Sequence, residues 1–525
     1  MSLPWLWATL SGVLFALAAA GNFQFPKWFS VVCACWALIP FLSTILQGKC
    51  SLRQAFLMGG LMGVIAYGGW LNWLLALHPL DWLGVPALTS VIIALLAWGL
   101  PTITGGIIFG LWGFWLVFLQ KKFVLHKPTF IIWTILGAFG LEALLALATL
   151  SPAGFPWVRL AYAFSEIPII LKLLSPLQAI TQGHGFMALS VLLTMTQMLV
   201  AKLFLRPHQR LPVVGCYAIA GLLALLPWSP STRPIPLGLP PVITVSGAMP
   251  PAHMRPDPVQ AKRQDFWHPL LSALRHLKST QPTVWVFPEE GLLWETAPLD
   301  DTPAAHSKLA ALKIISQRTH HTIVTGASTS QNGHTYNSIL MISPNGSLQS
   351  YHKRQLVAFG ETFPSWLIAV ERGLGAVGLS LPPLPSSYAQ GPAHPSPLKI
   401  AAFSNNIRTF RFAGLMCAEL MSPSLLPNND SEKIDALIVL ANAGWFHMHS
   451  GVTQQMLAMA RFRSAESTKP LLLALNGGPS GWILPSSAEL IQTDLEWGKR
   501  SLHLKTPLLL IDKTKDPLVK FKHLD

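Results

Sequence analysis

The spacing of apolar positions changes character once along the chain. Up to residue 228 they form long, nearly unbroken runs at about 4–21, 28–47, 54–77, 86–119, 129–150, 185–204 and 211–228. Each is near or above the roughly 20 residues that a helix needs to cross about 30 Å of hydrocarbon. The fourth run exceeds one straight crossing and carries Pro101, Gly105 and Gly106, so it is read as kinked or as two segments.

Beyond residue 230 the apolar runs are short. A linker containing Pro227, Pro230, Pro234, Pro236, Pro240 and Pro241 leads into Val242 to Val245, a non-helical exit followed by a buried strand. Strand and helix patterns then alternate. A helix is expected over 260–278, strands at Thr283 to Phe287 and Thr322 to Gly326, and a helix at 303–318 between them. Asn337 to Ile342 and Ser347 to Tyr351 flank Ser343-Pro344-Asn345-Gly346, a hairpin signal. Phe412 to Met416, Ala436 to Ala441 and Leu471 to Leu475 complete the expected strands, with a helix over 453–467. The pattern predicts a membrane α-helical bundle in residues 1–230 and a mixed α/β domain in residues 231–525.

Composition sharpens this division. Charged residues make up only 11% of the 525, hydrophobic ones 51%, with a mean hydropathy of +0.44, which excludes an ordinary cytosolic protein and a disordered one. Residues 1–230 hold 11 Lys or Arg and three acids, whereas residues 231–525 hold 26 and 20. The net charge of +14 is spread along the chain without a Lys/Arg block, so no nucleic-acid partner is expected.

If the fourth run crosses once, the loops on one side carry Lys49, Arg53, Lys121, Lys122, Lys127, Lys202, Arg206 and Arg210, against Lys27, Arg159 and Lys172 on the other. The positive-inside rule makes the first set cytoplasmic, gives about seven spans and sends the soluble half to the outer face. Splitting the run spoils that agreement. The first run lacks a basic leader and is followed closely by others, so it is read as an uncleaved helix. Glu142, inside the fifth run, predicts either a protonated packing contact or a polar cavity.

The five cysteines, Cys33, Cys35, Cys50, Cys216 and Cys417, do not form a disulfide or metal pattern, and Cys33 and Cys35 are read as packing residues. Cys417 stands alone in the soluble half, at the end of the strand 412–416. Glu289 ends the strand Val284 to Phe287, and Lys353 follows the second hairpin strand. A nucleophilic thiol needs a proton acceptor and a donor for the developing oxyanion, and a carboxylate with a lysine supplies both. Singly, each reads as a solvated loop residue, a surface charge or a core thiol.

Their order and flanks are more specific. Phe287-Pro288-Glu289, then Tyr351-His352-Lys353-Arg354-Gln355-Leu356-Val357-Ala358-Phe359-Gly360-Glu361, then Cys417-Ala418-Glu419 resemble the nitrilase, or carbon-nitrogen hydrolase, superfamily. With apolar runs ahead of them they resemble its membrane-anchored branch, the lipoprotein N-acyltransferases. Gly154-Phe155-Pro156-Trp157, Tyr336-Asn337, Asn442 with Trp445-Phe446, Gln455-Met456, Arg463, Glu466 and Asn476-Gly477-Gly478 extend the likeness.

The resemblance implies a four-layer αββα nitrilase-like sandwich with Glu289 as general base, Lys353 as oxyanion stabiliser and Cys417 as nucleophile. Glu361 and Glu419 match further acidic positions that orient Lys353 or relay a proton, or else form structural salt bridges. Trp445 and Phe446 wall an acyl pocket or fill the core. The implied acyl donor is a membrane phospholipid and the acceptor a diacylated lipoprotein, at the bacterial inner membrane with the catalytic domain periplasmic. No metal or cofactor is implied.

Several positions depart from the family pattern. Ala418 replaces an aromatic residue after the nucleophile, Ser246-Gly247-Ala248 replaces a Gln-Gly-Asn type motif, and no basic residue follows Glu142 within 143–148. The polar stretch Lys505 to Asp525 replaces a final membrane helix, predicting a domain tethered at one end. These departures keep a divergent amidase and a conjugative-transfer paralogue open as alternatives, besides a non-catalytic scaffold.

Overall fold

The computed structural model describes residues 3–19, 25–81, 85–123, 127–149, 157–181, 183–205, 242–246, 283–289, 293–299, 308–358, 360–362, 369, 388–401, 409–426, 434–447, 449–485, 487, 489–492, 494–497 and 502–504. The seventh apolar run, most of the proline-rich linker, the helix expected over 260–278 and the polar stretch 505–525 lie outside the described residues.

The first eight helices are α1 (Leu3–Leu17), α2 (Lys27–Trp36), α3 (Ile39–Leu46), α4 (Leu52–Trp70), α5 (Ala87–Lys122), α6 (Lys127–Ala148), α7 (Pro168–Ile180) and α8 (Gly185–Phe204). Among the described residues, four segments are long and apolar enough to cross a membrane: Lys27–Leu46, Ala87–Lys122, Thr129–Ala148 and Gly185–Phe204. Of the seven expected spans, the first is the shorter α1, and the third is α4 followed by a 3-10 turn at Asn72–Leu77. Leu, Ile, Val and Phe side chains such as Leu96, Ile103 and Phe139 face outward, as a lipid-facing surface requires.

α5 decides between the readings of the fourth run: it is one helix of 36 residues, about 54 Å long at 1.5 Å per residue, and not two segments. Gly105 and Gly106 serve packing instead of a break. A Cβ at Gly63 of α4 would lie 2.3 Å from the Gly105 carbonyl oxygen, and one at Gly59 2.2 Å from that of Phe109. Small residues thus let the two backbones approach directly, the usual means of helix association in lipid.

The strands are β1 (Val242–Ser246), β2 (Val284–Val286), β3 (Leu293–Pro298), β4 (Thr322–Gln331), β5 (His334–Ile342), β6 (Leu348–His352), β7 (Leu398–Ala401), β8 (Thr409–Met416), β9 (Ala436–Asn442), β10 (Leu471–Asn476), β11 (Gly481–Ile483), β12 (Leu490–Gln492), β13 (Asp494–Trp497) and β14 (Leu502–Leu504). One sheet runs β14-β13-β1-β2-β4-β5-β6 with β3 beside β4; the other runs β12-β11-β10-β9-β8-β7. β1, β2 and β4 are parallel, as are β8, β9 and β10, so in each sheet several strands end at the same edge.

Alternating side chains give each sheet two apolar faces. Val284, Val286, Ile339 and Met341 meet Phe410, Phe412, Ile438 and Leu440 between the sheets. Trp285, Ile323, Leu340 and Ile342 pack on α9 (Lys308–Thr319) through Leu309, Leu312 and Ile315. Leu437, Val439, Leu471 and Leu473 pack in one core with α10 (Ser450–Ser467) and with residues of the helical bundle. The order helix, sheet, sheet, helix is the expected αββα sandwich.

α10 joins the halves. Buried on every side, it is nonetheless rich in polar groups. Gln455 accepts from Trp73 Nε1 at 3.1 Å and donates to the Trp70 carbonyl at 3.0 Å, Arg461 pairs with Glu166 at 2.7 Å, and Glu466 accepts the Phe186 amide at 2.9 Å. Phe462 packs edge-on against Tyr162 and Phe186.

Candidate active site

The three residues singled out from the sequence follow strand ends. Phe287 N–H donates to Val324 O and Gly326 N–H to Pro288 O, continuing the parallel pairing past β2 and fixing Glu289 beyond it. Lys353 follows β6, with its N–H donating to Asn337 O at 2.8 Å. Cys417 follows β8 and opens a 3-10 turn, Cys417–Met421. Its φ of 46° is in the left-handed region, which costs a non-glycine residue energy and turns the thiol sharply out of the strand.

Lys353 and both nearby carboxylates are buried or nearly so. Lys353 Nζ donates to Glu361 Oε1 at 2.7 Å and to Glu289 Oε1 at 3.3 Å. Asn337 Nδ2 donates to the same two oxygens, at 2.5 Å and 2.9 Å. Glu361 Oε2 accepts the Val357 amide at 2.8 Å. Glu361 is thus an ion-pair partner of Lys353. Asn337, which in the sequence belonged only to the family likeness with no role assigned, is a further member of the group. Its signal was the hairpin register: counting outward from the turn at Asn345, Asn337 falls opposite Lys353, as the observed Ser338–His352 and Ile339–Tyr351 pairs confirm.

Glu419 does something else. Fully buried, it accepts from Met416 N at 2.7 Å and Tyr351 OH at 2.8 Å on one oxygen, and from Arg354 N at 2.6 Å and Gln355 N at 3.1 Å on the other. Among the described residues its hydrogen-bond partners do not include Lys353. It clamps the end of β8, just before Cys417, to the segment just after Lys353, and so fixes the backbone beside Cys417 against the backbone beside Lys353. Ala418, the second residue of the 3-10 turn, is buried.

Trp445 and Phe446 lie on a 3-10 turn, Gly444–Phe446, that follows β9. Asn442 Oδ1 accepts from Gly444 N at 2.8 Å and Asn476 Nδ2 at 2.9 Å, pinning this turn. Phe446 meets Trp73 edge-on at 4.6 Å, and Trp73 in turn lies 4.8 Å from Trp157. The aromatic wall at this strand edge is therefore built by both halves.

Electrostatics couple the group. Burial, and then the Glu289 and Glu361 carboxylates, push the Cys417 thiol well above the usual range; Lys353 and the Asn442 backbone oppose them. Burial alone would lower Lys353, but Glu289, Glu361 and Cys417 hold its ammonium well above the ordinary lysine value. The lysine is thus a fixed cation, and the thiol needs a neighbouring base to ionise at neutral pH.

Inside the bundle, Glu142 has found its counter-ion. The Arg159 guanidinium donates to Glu142 Oε2, both groups being buried. The basic residue missing from 143–148 is therefore supplied from beyond Trp157.

Residues 248–495 match the family model of carbon-nitrogen hydrolases. Over most of its length the chain is similar to the apolipoprotein N-acyltransferase of Parasynechococcus marenigrum, 25% identical over 493 residues, covering 92% of this chain and 90% of that one. It is likewise similar to that of Prochlorococcus marinus, 25% identical over 459 residues, covering 85% and 81%. A shorter stretch of 150 residues, 27% of each chain, is 34% identical to that of Vibrio cholerae. Joined to a bundle of apolar helices, residues 248–495 form a carbon-nitrogen hydrolase domain, and over most of its length the chain is similar to apolipoprotein N-acyltransferases, spanning these relatives nearly end to end.

Proposed function

We propose that this membrane enzyme transfers an acyl chain from a phospholipid, through a Cys417 thioester, to the N-terminal amine of diacylglyceryl-cysteine lipoproteins. Cys417 gives its proton to Glu289 and attacks the ester carbonyl, and Lys353 stabilises the oxyanion. Collapse expels the lysophospholipid, which recovers the proton from Glu289. The lipoprotein amine then attacks the thioester, passes a proton to Glu289 and releases the thiolate. Apolar surroundings favour the amine over water in this second step. Trp445 and Phe446 wall the acyl chain.

The observation that carries this reading is Lys353 held between two carboxylates, its charge coupled to Cys417, in the family's chain order of Glu, Lys and Cys. Residues 1–230 form the membrane half and residues 231–525 the catalytic half. A bacterial inner-membrane location with the catalytic half periplasmic is supported by the helix ends. Lys202 lies 3.4 Å over the Phe130 ring near the start of α6, and a Cβ on Gly48 would lie 3.6 Å from Gln120 near the end of α5, so the basic ends neighbour one another. α10 instead bonds to Trp70, Trp73 and Phe186, at the opposite ends of α4 and α8.

The test is incubation of the purified protein with phospholipid. An acyl adduct on Cys417 is expected, absent in Cys417→Ser, with the chain passing to a diacylated lipopeptide. An adduct that forms but reaches only water would replace this reading with an amidase.

A further inference from the structure

Two carboxylates, one lysine and one thiol leave the site with a surplus negative charge, and a proton leaving Cys417 has two acceptors available. The geometry makes them unequal. The Asn337 amide has two N–H hydrogens and donates to both carboxylates, at 2.5 Å to Glu361 and 2.9 Å to Glu289. Lys353 repeats the preference, at 2.7 Å against 3.3 Å. Both shared donors thus lie nearer Glu361. Hydrogen bonds to an ionised carboxylate lower its affinity for a proton, more so when short.

We propose that Asn337 is a positioning residue for proton transfer: its amide holds Glu361 as the ionised anchor of Lys353 and leaves Glu289 to accept the Cys417 proton. In that step the S–H bond breaks, its electron pair stays on sulfur, and an O–H bond forms on Glu289. The inference deepens the proposed function and rests on Cys417 being the nucleophile. The backbone keeps Asn337 in place, because Lys353 N–H donates to its carbonyl at 2.8 Å and the side chain is buried. Among the described residues, the titratable groups facing the carboxylates are Lys353, Cys417 and each other. Glu419 is occupied with Tyr351 and the Arg354 and Gln355 amides, and the His352 ring with Ser338 and Gln331.

The experiment is the pH profile of Cys417 alkylation by iodoacetamide in the full-length, detergent-solubilised protein, read by mass spectrometry of the Cys417 peptide. Asn337→Ala removes a donor from each carboxylate, so the acid limb should move up by about one pH unit, roughly a tenfold slower reaction on that limb. The plateau reports the base and the lysine; the position of the limb is what decides. Asn337→Ser keeps a single hydroxyl donor and should move the limb about half as far; it decides the question if Asn337→Ala melts below the assay temperature. A limb that stays in place in the folded variants, whether or not the plateau falls, overturns the proposal and leaves Asn337 a packing residue. A wild-type Cys417 that resists alkylation at every pH overturns the nucleophile itself, and this inference with it.

Discussion

Glu142 with Arg159 in the bundle, and Glu289 with Lys353 and Glu361 at the strand ends, are both buried sets of opposite charges. Their stoichiometry differs. The bundle pair has one carboxylate and one guanidinium and is neutral as a unit. The sheet-end group has two carboxylates for one ammonium, so it carries a surplus negative charge and has reason to take up a proton. Burying charge is costly in both places, and attraction offsets that cost more fully in a balanced pair. The balanced pair is the kind of device that fixes a loop against a helix, and the unbalanced one the kind that moves protons.

The largest way to break this contrast is to remove the cation that the unbalanced group shares. Lys353→Ala leaves two carboxylates facing each other and no oxyanion donor from that side chain, so the rate of Cys417 acylation should fall about a thousandfold or more. A fall of less than tenfold in folded protein would show that Lys353 is only a structural charge. In the bundle the corresponding change is Arg159→Met. It strands a buried carboxylate and should cost about 3–5 kcal/mol of stability, read as a large fall in melting temperature in detergent. Adding Glu142→Leu should recover most of it, while Cys417 alkylation in the folded protein stays unchanged. Failure of the second change to rescue the first would mean that the pair is more than a strap.

Glu289→Gln sharpens the comparison by removing the proposed acceptor while keeping the shape. The rate at pH 7 should drop by about a hundredfold. The direction with pH follows from the raised Cys417 thiol, which cannot ionise by itself near neutrality. In the wild type the proton passes internally, so alkylation should be level from neutral pH to about pH 9. Without Glu289 it must pass to solvent, and the rate should climb about tenfold per pH unit over that range. A variant with a level profile would remove Glu289 from the base role.

What was legible in the sequence follows the range of the interactions. β2, the β5–β6 hairpin, β8, β9, β10 and α10 were readable to within a few residues, because their apolar spacing and turn residues are local signals. Gly105 and Gly106 left a kink or a second segment open, since a glycine pair looks the same whether it breaks a helix or admits a neighbouring backbone; only the position of α4 decides. Arg159 was counted as a loop charge because its partner lies 17 residues back across a turn. Glu361 was readable as a companion of Lys353 eight residues away. The role of Glu419 was not, for its donors Tyr351, Arg354 and Gln355 come from another sheet. β3, β7 and β11 to β14 were missed as short strands whose pairing is set by the sheets they join.

The position of α10 was foreseen, but its burial between the two halves is not signalled by its polar composition. Part of the cost of burial on all sides is offset across the joint, where Gln455 bonds to Trp73 and the Trp70 carbonyl, and part within the helix, where Arg463 pairs with Glu466 at 3.0 Å. Gln455→Leu keeps roughly the same volume and removes both bonds, leaving the indole N–H and the carbonyl buried without these partners. It should lower stability by about 1–2 kcal/mol, the smallest of the effects considered, because the hydrogen bonds are neutral and the aromatic packing around Trp73 persists. The informative readout is the ratio of two rates. If the halves must stay in register for lipid to reach Cys417, acylation by phospholipid should fall more than alkylation by iodoacetamide, which needs only the thiol and its base. Equal falls in both would make α10 a support for the fold alone, with no part in presenting the membrane-borne substrate.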